Sequence, residues 1–229
     1  MVDAGSVLDA GPAPQDAGAM SSRAVQVRAT ADGWVLLRAG EPYAIRGAGF
    51  SGGVAEMDSL RAAGANSLRT WSTENAQEIL DLAQARGMTV LMGIWLGQVQ
   101  QGFDYSDEDA VAAQLAAARV QVERYRDHPA LLAWGVGNEV EIGGADEPAM
   151  WAAIEAVAAM VKRVDPEHPT VVVTAEIGTN LDRRLRDQVP SADIWGINTY
   201  GGAASLVDRL EARGWEGPYL LAEYGPVGQ

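Results

Sequence analysis

The chain has 229 residues, of which 31 are Asp or Glu and 17 Lys or Arg, giving a net charge of −14, and 48% are apolar. That is enough chain for one domain with a substantial core, and the acidity disfavours nucleic acid and anionic membrane surfaces as partners. With no Cys and two His, disulfides, thiol catalysis and Cys-ligated zinc are excluded, and neither a transition-metal site nor another cofactor is expected.

Residues 1–22 repeat Asp-Ala-Gly at 3–5, 9–11 and 16–18 and lack an apolar period. They read as a disordered linker, with 23–229 as the folded domain. Such tethers often join an export signal or lipid anchor to a catalytic domain. The expectation is a secreted or envelope-tethered protein whose signal lies outside this chain. No run of about 18 apolar residues suggests insertion into a membrane.

Val25 to Arg28 and Trp34 to Arg38 flank Ala-Asp-Gly, a hairpin signal. Beyond Gly40, short apolar strands alternate with helices. The strands read as 43–49, 66–70, 88–94, 131–137, 169–175, 193–198 and 218–222. Asn75 with Glu78 reads as a helix cap ahead of Ile79, Leu82 and Ala83, and Gly87 stops that helix. Asp146 before Pro148 opens another, with a stripe of Trp151, Ile154, Ala158 and Val161 that ends before Asp165-Pro166. Gly64 and Gly214 close two shorter ones. Strand, helix, strand repeated in this way means parallel pairing through right-handed crossovers.

An open doubly wound sheet would carry a Gly-rich phosphate turn after its first strand. The glycines of Arg46-Gly-Ala-Gly-Phe-Ser-Gly-Gly53 lack that full fingerprint. An α/β TIM-type (β/α) barrel places polar groups at the C-terminal tips of several strands. The tips here carry Arg69-Thr70-Trp71, Trp95, Asn138-Glu139, Glu176, Asn198-Thr199-Tyr200 and Glu223-Tyr224. In a barrel all of these surround one pocket. Glycoside hydrolysis needs two carboxyl groups flanking one bond, one to protonate the leaving oxygen and one to attack the anomeric carbon or activate water. Strands four and seven stand on opposite sides of a barrel, so Glu139 and Glu223 can face each other.

Four segments carry a specific resemblance. His128-Pro-Ala-Leu-Leu-Ala-Trp-Gly-Val-Gly-Asn-Glu139 resembles the fourth-strand signature of clan A glycoside hydrolases, and Leu221-Ala-Glu-Tyr-Gly225 their seventh-strand nucleophile segment. Arg69 in Asn66-Ser-Leu-Arg-Thr-Trp71 matches the clan's second-strand Arg, and Tyr200 in Gly196-Ile-Asn-Thr-Tyr200 its sixth-strand Tyr. The likeness runs from about Val25 to Gln229 and is nearest to the barrel domain of glycoside hydrolase family 2, with β-1,3-glucanosyltransferases also similar. It implies a retaining hydrolase of β-linked glycosides or β-glucans that works through a covalent glycosyl-enzyme intermediate. Glu139 would be the acid/base and Glu223 the ionised nucleophile, held by Arg69 and Tyr200. Asn138 would bind the sugar 2-hydroxyl, and Trp71 and Trp95 would stack on sugar rings.

Trp134 lies inside a strand and reads as core. His128 and His168, each before a Pro ahead of a strand, belong to the opposite face. Glu141 and Glu176 are further candidates to line the pocket, and Leu96 to Asp107 is the candidate specificity loop. Only seven barrel strands can be counted, because six residues follow Glu223. The eighth strand is then lacking, and strands one and seven present open edges at which a second copy could pair. The alternatives are a β-glucan transglycosylase and a truncated barrel that binds glycans without cleaving them. A sugar-phosphate barrel enzyme would need a Gly-rich phosphate loop after strand seven or eight, and none is found.

Overall fold

A computed structural model describes Ser21 and residues 23–144, 147–178 and 180–226. The linker reading of 1–22 and the Asp146 cap fall almost wholly outside those residues.

The chain opens with β1 (Val25–Thr30) and β2 (Gly33–Arg38), an antiparallel hairpin extended by the two-residue β3 (Glu41–Pro42). Seven parallel strands follow: β4 (Gly47–Gly49), β5 (Ser67–Arg69), β6 (Thr89–Ile94), β7 (Leu131–Val136), β8 (Thr170–Thr174), β9 (Ile194–Tyr200) and β10 (Tyr219–Gly225). They pair strictly in chain order from β4 to β10. The crossovers hold α1 (Val54–Ala62), α2 (Ala76–Ala85), α3 (Glu108–Tyr125), α4 (Pro148–Val164), α5 (Leu181–Gln188) and α6 (Leu206–Glu211). This is a (β/α) barrel of seven strands, nearly closed, with an N-terminal hairpin. No described helix is long and apolar enough to cross a membrane.

Alternation along the strands sorts two cores. Leu91, Ala133, Val171, Val173 and Ile194 point inward and pack with Leu220 and Ala222. Val27 and Leu36 of the hairpin pack on the same cluster, so the hairpin plugs the floor of the barrel. Polar bonds fasten it there: Val25 N donates to Glu167 O at 2.8 Å and Trp34 Nε1 to Glu216 O at 2.7 Å. The outward side chains, among them Val90, Met92, Val136, Val172 and Ile197, meet the helices in the larger core. The stripe on α4 is buried throughout: Trp151, Ile154, Ala158 and Val161.

Three local readings change. The strand read at 43–49 shortens to 47–49, because the chain leaves the hairpin sheet at Pro42 and joins the barrel only at Gly47. Asn75 does occupy the position before α2, but its backbone is left-handed, with φ 53°, and its side chain makes no capping bond. The last strand runs past residue 222 to Gly225, which puts Glu223 inside β10 rather than beyond it. Gly64, Gly87 and Gly214 do follow the ends of α1, α2 and α6 with positive φ.

Both His sit on the N-terminal side of their strands. His128 Nε2 lies 3.1 Å from Asp81, and His168 Nδ1 lies 2.9 Å from Asp165 Oδ2. Asp165 is 2% exposed, and it also accepts from Trp134 Nε1 at 2.7 Å and from Glu167 N at 3.2 Å. Trp134, expected to be core, is fully buried. Replacing Asp165 by Ala would strand these donors in the core. The expected cost is about 3 kcal/mol or more, read as a drop in the urea midpoint at unchanged slope.

The ends of the barrel sheet, β4 and β10, do not pair with each other. A cavity of about 1450 Å³ runs into this opening. Its lining takes in Ala48, Leu60 and Trp215 together with Arg69, Trp71, Tyr200 and Glu223. Exposed apolar side chains collect here, among them Ile45, Tyr219, Leu221 and Tyr224.

Candidate active site

Each candidate stands where strand geometry puts it. On β5, Leu68 faces the helices and Arg69 faces the interior, where its side chain is 7% exposed. Asn138 and Glu139 follow β7 after Gly137, and Tyr200 ends β9. Glu223 reaches the interior through an irregularity. Leu220 pairs with Gly196 and Leu221 with Ile197, but the next partner of the chain, Asn198, faces Glu223. Residue 222 is the extra one. Strict alternation from Leu220 would send Glu223 outward, and the bulge turns it in beside Asn198.

Six of the seven candidates are brought together. Arg69 Nη1 pairs with Glu223 Oε1 in a short charged contact. Trp71 Nε1 donates to the same oxygen at 2.7 Å, and the Tyr200 hydroxyl donates to Oε2 at 2.6 Å. Arg69 Nη2 reaches Asn138 Oδ1 at 2.6 Å. Asn198 Nδ2 bridges the two halves, 3.2 Å from Asn138 Oδ1 and 2.8 Å from Glu139 Oε1. Trp95 stands apart, 43% exposed at the end of β6 and in no hydrogen bond with this set. Trp71 has its N–H committed to Glu223. Its main chain is packed hard against β6: a Cβ on Gly93 would fall 2.4 Å from the Trp71 carbonyl carbon.

The electrostatics divide the two carboxylates. Burial acts to raise the pKa of Glu223. The hydrogen bonds from Tyr200, Arg69 and Trp71, with the charge of Arg69, outweigh it and hold the carboxyl below its ordinary value. The Tyr200 hydroxyl is pushed up to about 12, first by its bond to Glu223, then by burial and the charges of Glu223 and Glu139, with Arg69 offsetting. Glu139 lies on a residue with φ 52° and has Asn198 as its side-chain donor. One carboxylate is thus locked in a cage of donors and the other is lightly held across from it.

Glu141 and Glu176 are both engaged elsewhere. Glu176 accepts from Thr199 and from Arg209 Nη1, the latter at 2.8 Å, and these bonds hold its pKa down against burial. Glu141 is 5% exposed and accepts from Ala175 N at 2.6 Å. Burial pushes its carboxyl up to about 7 against two backbone N–H donors, and the charge of Glu139 adds to the rise. In the candidate specificity loop, Gln98 and Tyr105 are buried. Gln98 Nε2 donates to Asn138 O at 2.8 Å and its oxygen accepts from Gln100 and Gln101. Gln98 and Asn198 therefore belong to the site's framework. The sequence signal for Asn198 was one polar residue facing inward in an apolar strand. Gln98 lay in the candidate specificity loop, and its bond to Asn138 O gives it a framework role instead.

The family described as glycosyl hydrolases family 2, TIM barrel domain, matches residues 41–227. Mannan endo-1,4-beta-mannosidase F of Aspergillus clavatus is 34% identical over 77 residues, which is 34% of this chain and 17% of that protein. Beta-glucuronidase of Sus scrofa is 28% identical over 163 residues, 68% of this chain and 23% of that protein. This chain therefore spans a quarter or less of either relative. Among solved structures, beta-D-glucuronidase of Dictyoglomus thermophilum superimposes with a TM-score of 0.64 at 21% identity, covering 87% of this chain and 39% of that one. Saccharomyces cerevisiae Gas2p in complex with laminaritetraose and laminaripentaose gives 0.65 at 18% identity, covering 91% and 54%. At these identities the structural likenesses speak for the fold.

Proposed function

The chain belongs to the TIM barrel domain family of glycosyl hydrolases family 2, and on that premise we propose that it is a retaining hydrolase of β-linked glycosides. The observation that carries the reading is the unequal treatment of the two carboxylates. Glu223 is surrounded by Arg69, Tyr200 and Trp71, which together keep it ionised. Glu139 has, among the described side chains, one amide donor, Asn198, which links it to the network around Glu223 through Asn138 and Arg69. A nucleophile must be charged before it attacks, and an acid/base must trade its proton within one cycle.

In the first step the Glu223 carboxylate attacks the anomeric carbon and forms a glycosyl ester. The bond from that carbon to the aglycone oxygen breaks, and Glu139 delivers its proton to the oxygen. In the second step Glu139, now a carboxylate, takes a proton from water. The water oxygen bonds to the anomeric carbon, the ester breaks, and Glu223 regains its charge. Asn138 spends its oxygen on Arg69 and Asn198, which leaves its NH₂ to bind the sugar 2-hydroxyl, a contact that strengthens in the transition state. Trp95, open to solvent at a strand tip, supplies a stacking face. In the loop after β6, Gln100 and Gln101 are exposed and stand among the side chains able to read the sugar.

The relatives named for mannan and glucuronides, and the structural neighbour holding laminari-oligosaccharides, define the panel to test. Aryl β-mannosides, β-glucuronides, β-glucosides and β-galactosides are assayed with laminarin, with product analysis by chromatography. Turnover of at least one member is expected, and its products separate hydrolysis from transfer to a second sugar. A folded protein that binds glycans and cleaves none would instead support the non-catalytic barrel. Self-association at the open edges belongs to the same proposal, supported by the exposed Ile45, Tyr219, Leu221 and Tyr224 beside them.

A further inference from the structure

Glu139 is held on a turn that would not keep its shape alone. Gly137 has φ 68° and Glu139 has φ 52°, and a left-handed backbone at a residue with a Cβ is strained. Main-chain bonds fix its entrance: Gly137 N donates to Ile94 O at 3.0 Å and Glu139 N to Val173 O at 3.0 Å. Beyond Glu139 the restraint comes from a side chain. Ala175 N, just past the tip of β8, donates to Glu141 Oε1 at 2.6 Å. Within the turn, Ile142 N donates to Glu139 O at 3.2 Å and Gly144 N to Glu141 O at 3.0 Å. Taking a carboxyl out of water is costly unless its bonds are made, and Glu141 is 5% exposed. Its carboxyl bonds to the backbone of Ala175 and not to Arg69, Asn138, Tyr200 or Glu223.

We propose that Glu141 is a positioning residue for the proton-transfer step. Its carboxyl ties the turn that carries Glu139 to the backbone at the tip of β8, and so fixes where the Glu139 carboxyl meets the leaving oxygen. The proposal rests on Glu139 being the acid/base. Its signature is selective. A misplaced acid matters when the leaving group needs a proton and matters little when it departs as a stable anion.

The test compares two aryl β-glycosides of whichever sugar the protein turns over best. The 2,4-dinitrophenyl glycoside needs no proton, and the 4-methoxyphenyl glycoside does. Glu141→Ala is expected to lose about 10–100-fold in kcat/KM on the methoxyphenyl substrate and less than about 3-fold on the dinitrophenyl one. Glu141→Gln keeps an oxygen for the Ala175 N–H and is expected to stay within about 3-fold of the parent on both. Should Glu141→Ala fail to match the parent's circular dichroism, Glu141→Asp shortens the reach by one methylene and is judged by the same comparison. Equal losses on the two substrates, or no loss on either, would overturn the positioning role. A parent protein that turns over neither substrate removes the acid/base reading and this proposal with it, a result distinct from an active parent whose variants fail to discriminate.

Discussion

Glu223→Gln is expected to lower kcat/KM by about 10⁴–10⁶-fold on every substrate, activated or not, because it removes the carboxylate proposed to form the glycosyl ester. The change is nearly isosteric, and the amide oxygen still accepts from Tyr200 or Trp71, so the fold should hold. It also unpairs a largely buried Arg69, whose guanidinium then keeps Asn138 and the Ala222 carbonyl as partners. The wild-type pH profile carries the same information. Glu223 must be ionised in the free enzyme, and its pKa lies below the ordinary 4.5. The acid limb of kcat/KM is therefore expected below pH 4.5. Arg69→Met should move that limb upward, since it removes a hydrogen bond and a charge that favour the carboxylate. The stability linkage has the same sign. A depressed carboxyl stabilises the fold above its unfolded pKa, and this contribution is lost as the pH falls through the folded value.

Glu139→Ala should divide substrates rather than abolish all of them. With an alkyl or methoxyphenyl aglycone the loss is expected at about 10²–10⁴-fold, the usual worth of a general acid. With a dinitrophenyl aglycone the first step survives, and the ester accumulates because no base activates water. The measurement is a pre-steady-state burst of dinitrophenolate followed by slow turnover. Added azide needs no general base, and should restore turnover and give the β-glycosyl azide. Equal losses on both aglycones with no azide rescue would assign Glu139 a structural role instead.

The barrel was legible because apolar strands such as 131–137 end abruptly in polar residues, a pattern tied to parallel strands around one pocket. Arg69, Glu139 and Tyr200 could be placed for that reason. The route by which Glu223 enters the pocket was not legible. The segment Leu220-Leu-Ala-Glu-Tyr224 has no glycine to announce a bulge, and the extra residue is visible only in its pairing with β9. The cap at Asn75 failed for a related reason: an Asn that can cap a helix by its side chain can also adopt a left-handed backbone, and context chooses between them. Burial reassigned one residue of the loop after β6. Gln98 looks like a surface amide in sequence, but its 5% exposure and its bond to Asn138 make it part of the wall behind the site.

The central claim, that Glu223 forms a covalent bond to the sugar, is tested most directly by trapping. The protein is incubated with a 2,4-dinitrophenyl 2-deoxy-2-fluoro-β-glycoside of the sugar it turns over best, digested, and read by mass spectrometry. The account predicts stoichiometric release of dinitrophenolate, loss of activity, and one fluoroglycosyl group on the peptide containing Glu223. Release without attachment, or attachment at any other carboxylate, would contradict it.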